Sequence, residues 1–185
     1  MKIEETIDVD RDPASVWELF SDVQAMASCL PGAELTEDKG DGVYAGTVTA
    51  KLGPMTATFE GEATVELDHE ARSGTVDGKG TDRSGGSVGQ VKMRYHVTPA
   101  ETGGTTVDVD ADVVLSGAAA QFGRTGLIKE MSRRLIGEFV ECVEAKLAAE
   151  TAEEAAQVTA SDVKGVSLFF ASLWSWFTGL FGGDD

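Results

Sequence analysis

Between Ala118 and Ala149 the apolar residues Leu127, Ile128, Met131, Leu135, Ile136, Phe139, Val140, Cys142, Val143 and Leu147 recur at steps of three and four. That is the spacing of one face of an α-helix. Glu130, Arg133, Arg134, Glu141 and Glu144 fall on the other side. So wide an apolar stripe must be covered by something large. Nearly everything before it reads as strand, so one curved antiparallel sheet is the expected cover. A helix held by such a sheet encloses an elongated apolar space.

The rest of the chain fits that frame. Lys2 to Val9 alternates, with Ile3, Ile7 and Val9 as inward positions of a first strand. Asp12-Pro13 is an N-cap followed by proline at the first helical position, opening a short helix with Val16, Trp17, Leu19 and Phe20. Asp22 caps a second helix carrying Val23, Met26, Ala27 and Leu30, and Pro31-Gly32 stops it. From Ala33 to Leu115 the period is two, broken by turn residues such as Gly53-Pro54 and Gly85-Gly86. The order is strand, two helices, six strands, one long helix. This is an α+β arrangement: about seven strands wrapped around a C-terminal helix, with an amphipathic tail helix appended.

The balance of 15 Lys and Arg against 32 Asp and Glu, net charge -17, argues against nucleic acid, whose binding depends on neutralising phosphates. It suits a salt-rich cytoplasm, where a dense carboxylate surface keeps protein dissolved and its repulsion is screened. With no Asn in the chain, a halophilic source is expected. Cys29 and Cys142 lie far apart among apolar residues and read as buried free thiols, because a disulfide framework or zinc knuckle calls for more or closer cysteines. Met1-Lys2-Ile3-Glu4-Glu5 lacks the apolar run of a signal peptide, so an intracellular chain is expected.

Three motifs occur in order: Leu30-Pro31-Gly32 after the paired short helices, Gly53-Pro54 with Phe59-Glu60-Gly61, and Gly117-Ala118-Ala119-Ala120-Gln121-Phe122-Gly123 leading into the last helix. Together they resemble the carbon monoxide dehydrogenase G-subunit family, of the START-like helix-grip (SRPBCC) superfamily, over about residues 1–149. The resemblance implies an accessory protein that attaches molybdenum-containing carbon monoxide dehydrogenase, or a related molybdenum hydroxylase, to the inner face of the cytoplasmic membrane. It also implies coupling to the quinone pool, with an apolar ligand, an isoprenoid quinone, held without covalent attachment between sheet and helix. The residues permit such a cavity. Val48, Leu52, Met55, Phe59, Met93, Tyr95, Val113 and Leu115 are candidate inward positions of the strands, and Phe122, Leu127, Met131 and Leu135 of the helix. Methionine suits a pocket that adapts to a flexible chain, because its thioether is unbranched and polarisable.

After Ala149 the composition shifts. Residues 150–164 are small, polar and acidic, reading as a linker or an alanine-rich helical extension. From Gly165 to Gly183 no charged residue occurs, and six of thirteen aromatics crowd there. On a helical wheel Phe169, Phe170, Leu173, Trp174, Trp176, Phe177, Leu180 and Phe181 share one side, opposite serines and other small residues. That pattern suits a helix lying in a membrane interface better than one crossing it. At ~1.5–3 kcal/mol per large apolar side chain, such a face attaches firmly, hydrophobically and with tolerance of salt. Docking onto protein is the alternative use of this face.

The catalytic patterns are weak. Gly85-Gly86-Ser87-Val88-Gly89 has the spelling of a nucleophile elbow but lies between two strands, without the strand–turn–helix setting. His69 and His96 have no metal-ligand partner at helical or short-loop spacing. Asp108, Asp110 and Asp112 alternate along one solvated strand face, ~6–7 Å apart, and Arg124, Lys129, Arg133 and Arg134 read as a solvated helix face. An acid–base pair inside the cavity would have to come from Tyr95 and His96, which point to opposite sides of one strand. No catalytic residue and no metal site is expected. The readings that remain are a non-catalytic adaptor, a general carrier of lipid or hydrophobic metabolite, and an enzyme of the cyclase or hydrolase kind.

Overall fold

A computed structural model describes residues 1–52, 55–101, 103–124, 127–149 and 151–160, with the side chains of 51, 52, 55, 121–124, 127–132 and 152 outside that description. The strands are β1 (Lys2–Val9), β2 (Ala33–Gly40), β3 (Val43–Leu52), β4 (Met55–Asp68), β5 (Ser73–Asp82), β6 (Ser87–Pro99) and β7 (Thr105–Ser116). The helices are α1 (Pro13–Ser21), α2 (Val23–Cys29), α3 (Leu127–Ala148) and α4 (Ala152–Gln157), with a 3₁₀ helix over Gly117–Arg124. The strands form one antiparallel sheet in the order β1-β7-β6-β5-β4-β3-β2. The first two strands of the sequence thus become the two edges.

Local chemistry sets the element boundaries. The Asp12 carboxylate accepts from the Ala14 and Ser15 amides, both at 3.0 Å, with Pro13 in the first turn, and Asp22 accepts from Ala25 at 2.9 Å to start α2. After α2, Gly32 adopts φ +80° and its carbonyl receives the Thr49 amide at 2.8 Å. A side chain there would strike the Thr49 carbonyl, so only glycine lets Leu30-Pro31-Gly32 lie down on β3.

The long helix begins at Leu127, and the Gly117–Gly123 stretch that leads into it forms the 3₁₀ segment. The apolar three-and-four pattern itself starts only at Leu127, and Gly123 and Gly126 interrupt the run before it, glycine being a poor helix former.

The cysteines are not free thiols, as expected from the sequence, but form a disulfide between Cys29 on α2 and Cys142 on α3, both wholly buried. Apolar flanks are what buried thiols and a buried disulfide have in common. The 113 residues between them hide the fact that packing α2 on α3 brings the two together.

Residues 152–157, within the acidic stretch, form α4, capped by the Thr151 hydroxyl accepting from Glu154 at 3.2 Å. Lys146 of α3, only 5 % exposed, donates to the Ala155 carbonyl at 2.7 Å and holds α4 against the body. Beyond it, Val158 packs on the core and Ala160 is buried.

Candidate functional site

The inner face of the sheet carries two separate clusters of buried residues. At the filled end α1 and α2 bring Val16, Trp17, Phe20 and Cys29 onto Ile7, Val9, Tyr95, Val97 and Val107, with Cys142 and Val143 closing from α3. The Phe20 ring stands 5.7 Å from Tyr95 and 6.2 Å from Phe139, the latter edge-on at 88°. The Tyr95 ring lies across Gly74, leaving no room there for a Cβ, and its hydroxyl donates to the Phe20 carbonyl at 2.9 Å. Burial pushes its phenol up to about 12. Tyr95, a candidate cavity residue by sequence, is therefore committed to this core.

A second, smaller cluster sits at the far end of the sheet: Ala57 and Ala119, with Ala50, Phe59 and Leu115. The 3₁₀ helix is pinned there by the Ala119 amide, which donates to Ser87 Oγ at 3.0 Å. Ser87 is itself fully buried, which leaves it a structural serine at the start of β6.

Between the clusters the inner face is floored by small residues. The register places Gly61 opposite Gly80, Gly80 opposite Gly89, and Ala63 opposite Gly78. A Cβ at Gly80 would stand 3.1 Å from Phe59 Cβ, and one at Gly89 would be 3.5 Å from the side chains of Phe59 and Leu115. Helix α3 makes its close approaches to α1, α2, α4 and the 3₁₀ helix. Protein interiors are close-packed, and with Cys142 and Val143 of α3 seated on the filled end of the sheet, the glycine strip is a stretch of the inner face that carries little side-chain bulk. Met93, Val113, Leu115 and Phe59 stand half-buried around this strip. Leu52, Met55, Phe122, Leu127 and Met131 belong to the surrounding elements, with side chains outside the described residues.

One flank is open. Val48 pairs with both Ala33 and Phe59, which puts it on the inner face, yet it is 48 % exposed. Leu30 is exposed to the same extent, and Leu135 on α3 to 39 %. Beside them a groove of about 480 Å³ runs between α2 and β2, lined by Ala27, Leu30, Pro31, Ala33, Leu35 and Ala160 together with the polar Gln24, Ser28, Glu34 and Thr159. A second depression, about 530 Å³, lies on the outer face among Glu4, Thr6, Thr75, Arg94, His96 and Asp108, a polar setting unsuited to an apolar ligand.

Polar groups at the site are few. Asp82, 2 % exposed, accepts through Oδ1 from Ser84 Oγ at 2.6 Å and from the Ser84 and Gly85 amides at 2.9 and 3.1 Å. Those bonds, the Ser84 hydroxyl first, hold its carboxyl below the ordinary value. Its Oδ2 is sealed without a hydrogen-bond partner among the described residues. His69 Nδ1 accepts from Trp17 Nε1 at 3.3 Å, and His96 is exposed on the outer face with Asp108, Asp110 and Asp112. Among the described residues no group of three or more His, Cys, Asp or Glu could hold a metal, and no helix is long and apolar enough to cross a membrane. The aromatic-rich residues Phe169, Phe170, Leu173, Trp174, Trp176, Phe177, Leu180 and Phe181 lie outside the described residues.

Sequence reasoning did not mark the glycine floor, the disulfide or the Lys146 latch. The first had a signal: Gly74, Gly78 and Gly80 fall on one period-two face of β5.

Comparison with solved structures shows the same fold at low identity. A conserved protein from Geobacillus kaustophilus superposes with a TM-score of 0.68 at 14 % identity, covering 80 % of this chain and 95 % of that one. The Zhui aromatase/cyclase from Streptomyces sp. R1128 gives 0.57 at 17 %, covering 80 % and 93 %. A truncated norcoclaurine synthase from Thalictrum flavum gives 0.50 at 18 %, covering 82 % and 94 %. No curated protein matches the sequence significantly. The family described as the G subunit of carbon monoxide dehydrogenase (CoxG) matches residues 6–148, from within β1 to the end of α3. A seven-stranded antiparallel sheet gripping a C-terminal helix, matched along its length by that description, places this chain in the CoxG family of carbon monoxide dehydrogenase.

Proposed function

We propose that this chain is a non-catalytic accessory protein that holds an apolar ligand, an isoprenoid quinone, between the sheet and α3, and couples carbon monoxide dehydrogenase to the cytoplasmic membrane. The supporting observation is the strip of Gly61, Gly78, Gly80 and Gly89 lying between two separate core clusters. Ordinary core packing would place bulky side chains along it. Half-buried Phe59, Met93, Val113 and Leu115 give the strip apolar walls. Residues 1–149 would bind the ligand and residues 165–183 would lie in the bilayer interface, a peripheral attachment from the cytoplasmic side. Tyr95 and His96, the pair that an enzyme would draw on, stand on opposite faces of β6, and the Tyr95 hydroxyl is already bonded to Phe20.

The test is mass spectrometry of organic extracts of the full chain purified from its native membrane. The expected result is a stoichiometric quinone. A different lipid in its place would turn the assignment to a general lipid carrier, and extracts without stoichiometric lipid would overturn the ligand. Sedimentation with vesicles, comparing the full chain with one ending at Ala149, tests the attachment. Equal pelleting of the two would remove it.

A further inference from the structure

Along β5 the inward positions are Gly74, Val76, Gly78, Gly80 and finally Asp82. The glycine strip therefore ends on a carboxylate, one period-two step or roughly 7 Å beyond Gly80. Across the ladder Asp82 faces Ser87 as Gly80 faces Gly89. Both polar side chains are buried, Asp82 to 2 % exposure and Ser87 to none. Ser87 is occupied, since its oxygen accepts from the Ala119 amide. Asp82 is occupied on one side alone. Ser84 and Gly85 give Oδ1 three bonds, which keep the group ionised and so acceptor-only. Oδ2 is buried and receives none. A buried carboxylate oxygen without a donor is costly, and native structures hold few such groups. The wall beside it is a turn with two successive glycines: a Cβ at Gly85 would stand 2.6 Å from Oδ2, and Gly86 takes φ +63°.

We propose that Asp82 Oδ2 anchors the polar end of the ligand by accepting from an O–H group, so that the site holds a hydroquinone in preference to the quinone. This rests on the reading of an apolar ligand between the sheet and α3, and adds which oxidation state that site selects. The selection follows from the donors each form carries. The oxygens of a quinone are carbonyls, which only accept, so against a carboxylate oxygen they meet negative charge with no proton between. A hydroquinone bears two O–H groups. One of them satisfies Oδ2 in a charge-assisted bond, the stronger kind, with the ring over Gly80 and Gly89, where no side chain is met. Phe59 and Leu115, beside those glycines, supply apolar contact. Gly85 moves off the oxygen as the donor arrives, and a turn of two glycines has the backbone freedom to do so.

Anaerobic calorimetric titration of the full chain reads this, with three probes: a short-chain benzoquinone, its hydroquinone, and the dimethyl ether of that hydroquinone, which keeps the shape without the donors. The hydroquinone is expected to bind about tenfold tighter than the other two, the effect of one hydrogen bond to a charged group. Asp82→Asn keeps an acceptor for Ser84 and Gly85 and puts an N–H donor where Oδ2 stood. It is expected to remove or reverse the preference by strengthening the quinone, with unchanged far-ultraviolet circular dichroism. Gly85→Ala sets a methyl against Oδ2 and leaves the carboxylate in place. It is expected to lower hydroquinone affinity to that of the ether. Equal affinities of the parent for all three probes would leave Oδ2 to an ordered water and overturn the inference, with the ligand reading intact. A preference that both variants retain would do the same. A parent that binds none of the three would refute the ligand reading itself, and this inference with it.

Discussion

Cys29 on α2 and Cys142 on α3 are bonded to each other across 113 residues of sequence, their Cα atoms 5.4 Å apart and both side chains without solvent exposure. The bond ties the short helix beside the open flank to the helix that the sheet grips. It closes a loop that contains all of β2 to β7. Such bonds are uncommon in a reducing cytoplasm, which makes its state in the cell a direct check on the proposed cytoplasmic location. Alkylation trapping followed by mass spectrometry reads it.

Restricting so long a loop in the unfolded chain contributes roughly 2–5 kcal/mol. Cys29→Ala/Cys142→Ala is therefore expected to unfold at clearly lower denaturant than the oxidised parent, with the reduced parent close to the variant. Coincident curves for oxidised and reduced protein would show that the bond contributes nothing.

Gly89 is the position at which the proposed ligand site can be filled with little disturbance. A Cβ there meets Phe59 and Leu115 at ordinary contact distance, 3.5 Å. Gly89→Leu is expected to weaken binding of an apolar probe such as a short-chain quinone by about tenfold, or about 1.4 kcal/mol, in a chain that still folds. Gly61 is the contrasting case, since a Cβ would run into the Lys79 carbonyl and the Gly80 backbone. Gly61→Ala is expected to cost roughly 1–3 kcal/mol of stability through overpacking. Calorimetry on the first and denaturant titration on the second check the pair, and unchanged probe affinity in Gly89→Leu would place the ligand elsewhere.

Tyr95 makes an alkaline prediction. Burial raises its phenol from 10.0 to about 12, so the unfolded chain loses the proton first. The stability tied to the neutral phenol is fully present below pH 10 and is lost as pH climbs toward 12. Tyr95→Phe is expected to flatten that part of the profile, at a neutral-pH cost of about 1 kcal/mol for the bond to the Phe20 carbonyl. Parallel alkaline profiles for parent and variant would contradict it.

Lys146 is a buried cation whose ammonium is pushed below its ordinary value by burial, with Asp22 acting the other way. Its folded form binds the proton less readily than the unfolded one, so this residue's contribution to stability improves as pH rises toward 10.5. Its use is the bond to Ala155 that holds α4. Lys146→Met is expected to free α4 and speed cleavage by a glutamate-specific protease at Glu153 and Glu154, while far-ultraviolet circular dichroism stays close to the parent. Cleavage at the parent rate would show that α4 is held by other contacts.

Local pattern alone determined the order of elements, the caps at Asp12 and Asp22, the seven strands and the apolar face of α3, because periodicity and capping act over a few residues and are written in them. It also placed Phe59, Met93, Val113 and Leu115 on the inner face, since strand alternation fixes facing once a strand is recognised. Tertiary structure decided the rest. Whether an inward residue joins the large core, as Tyr95 does, or the small cluster at the far end, as Phe59 does, depends on which helix lies above it. The pairing of Cys29 with Cys142, the docking of α4 through Lys146 and the meeting of the Gly61, Gly80 and Gly89 positions in one floor all depend on how the elements pack. Periodicity and capping describe each element separately, and neither says which elements will touch.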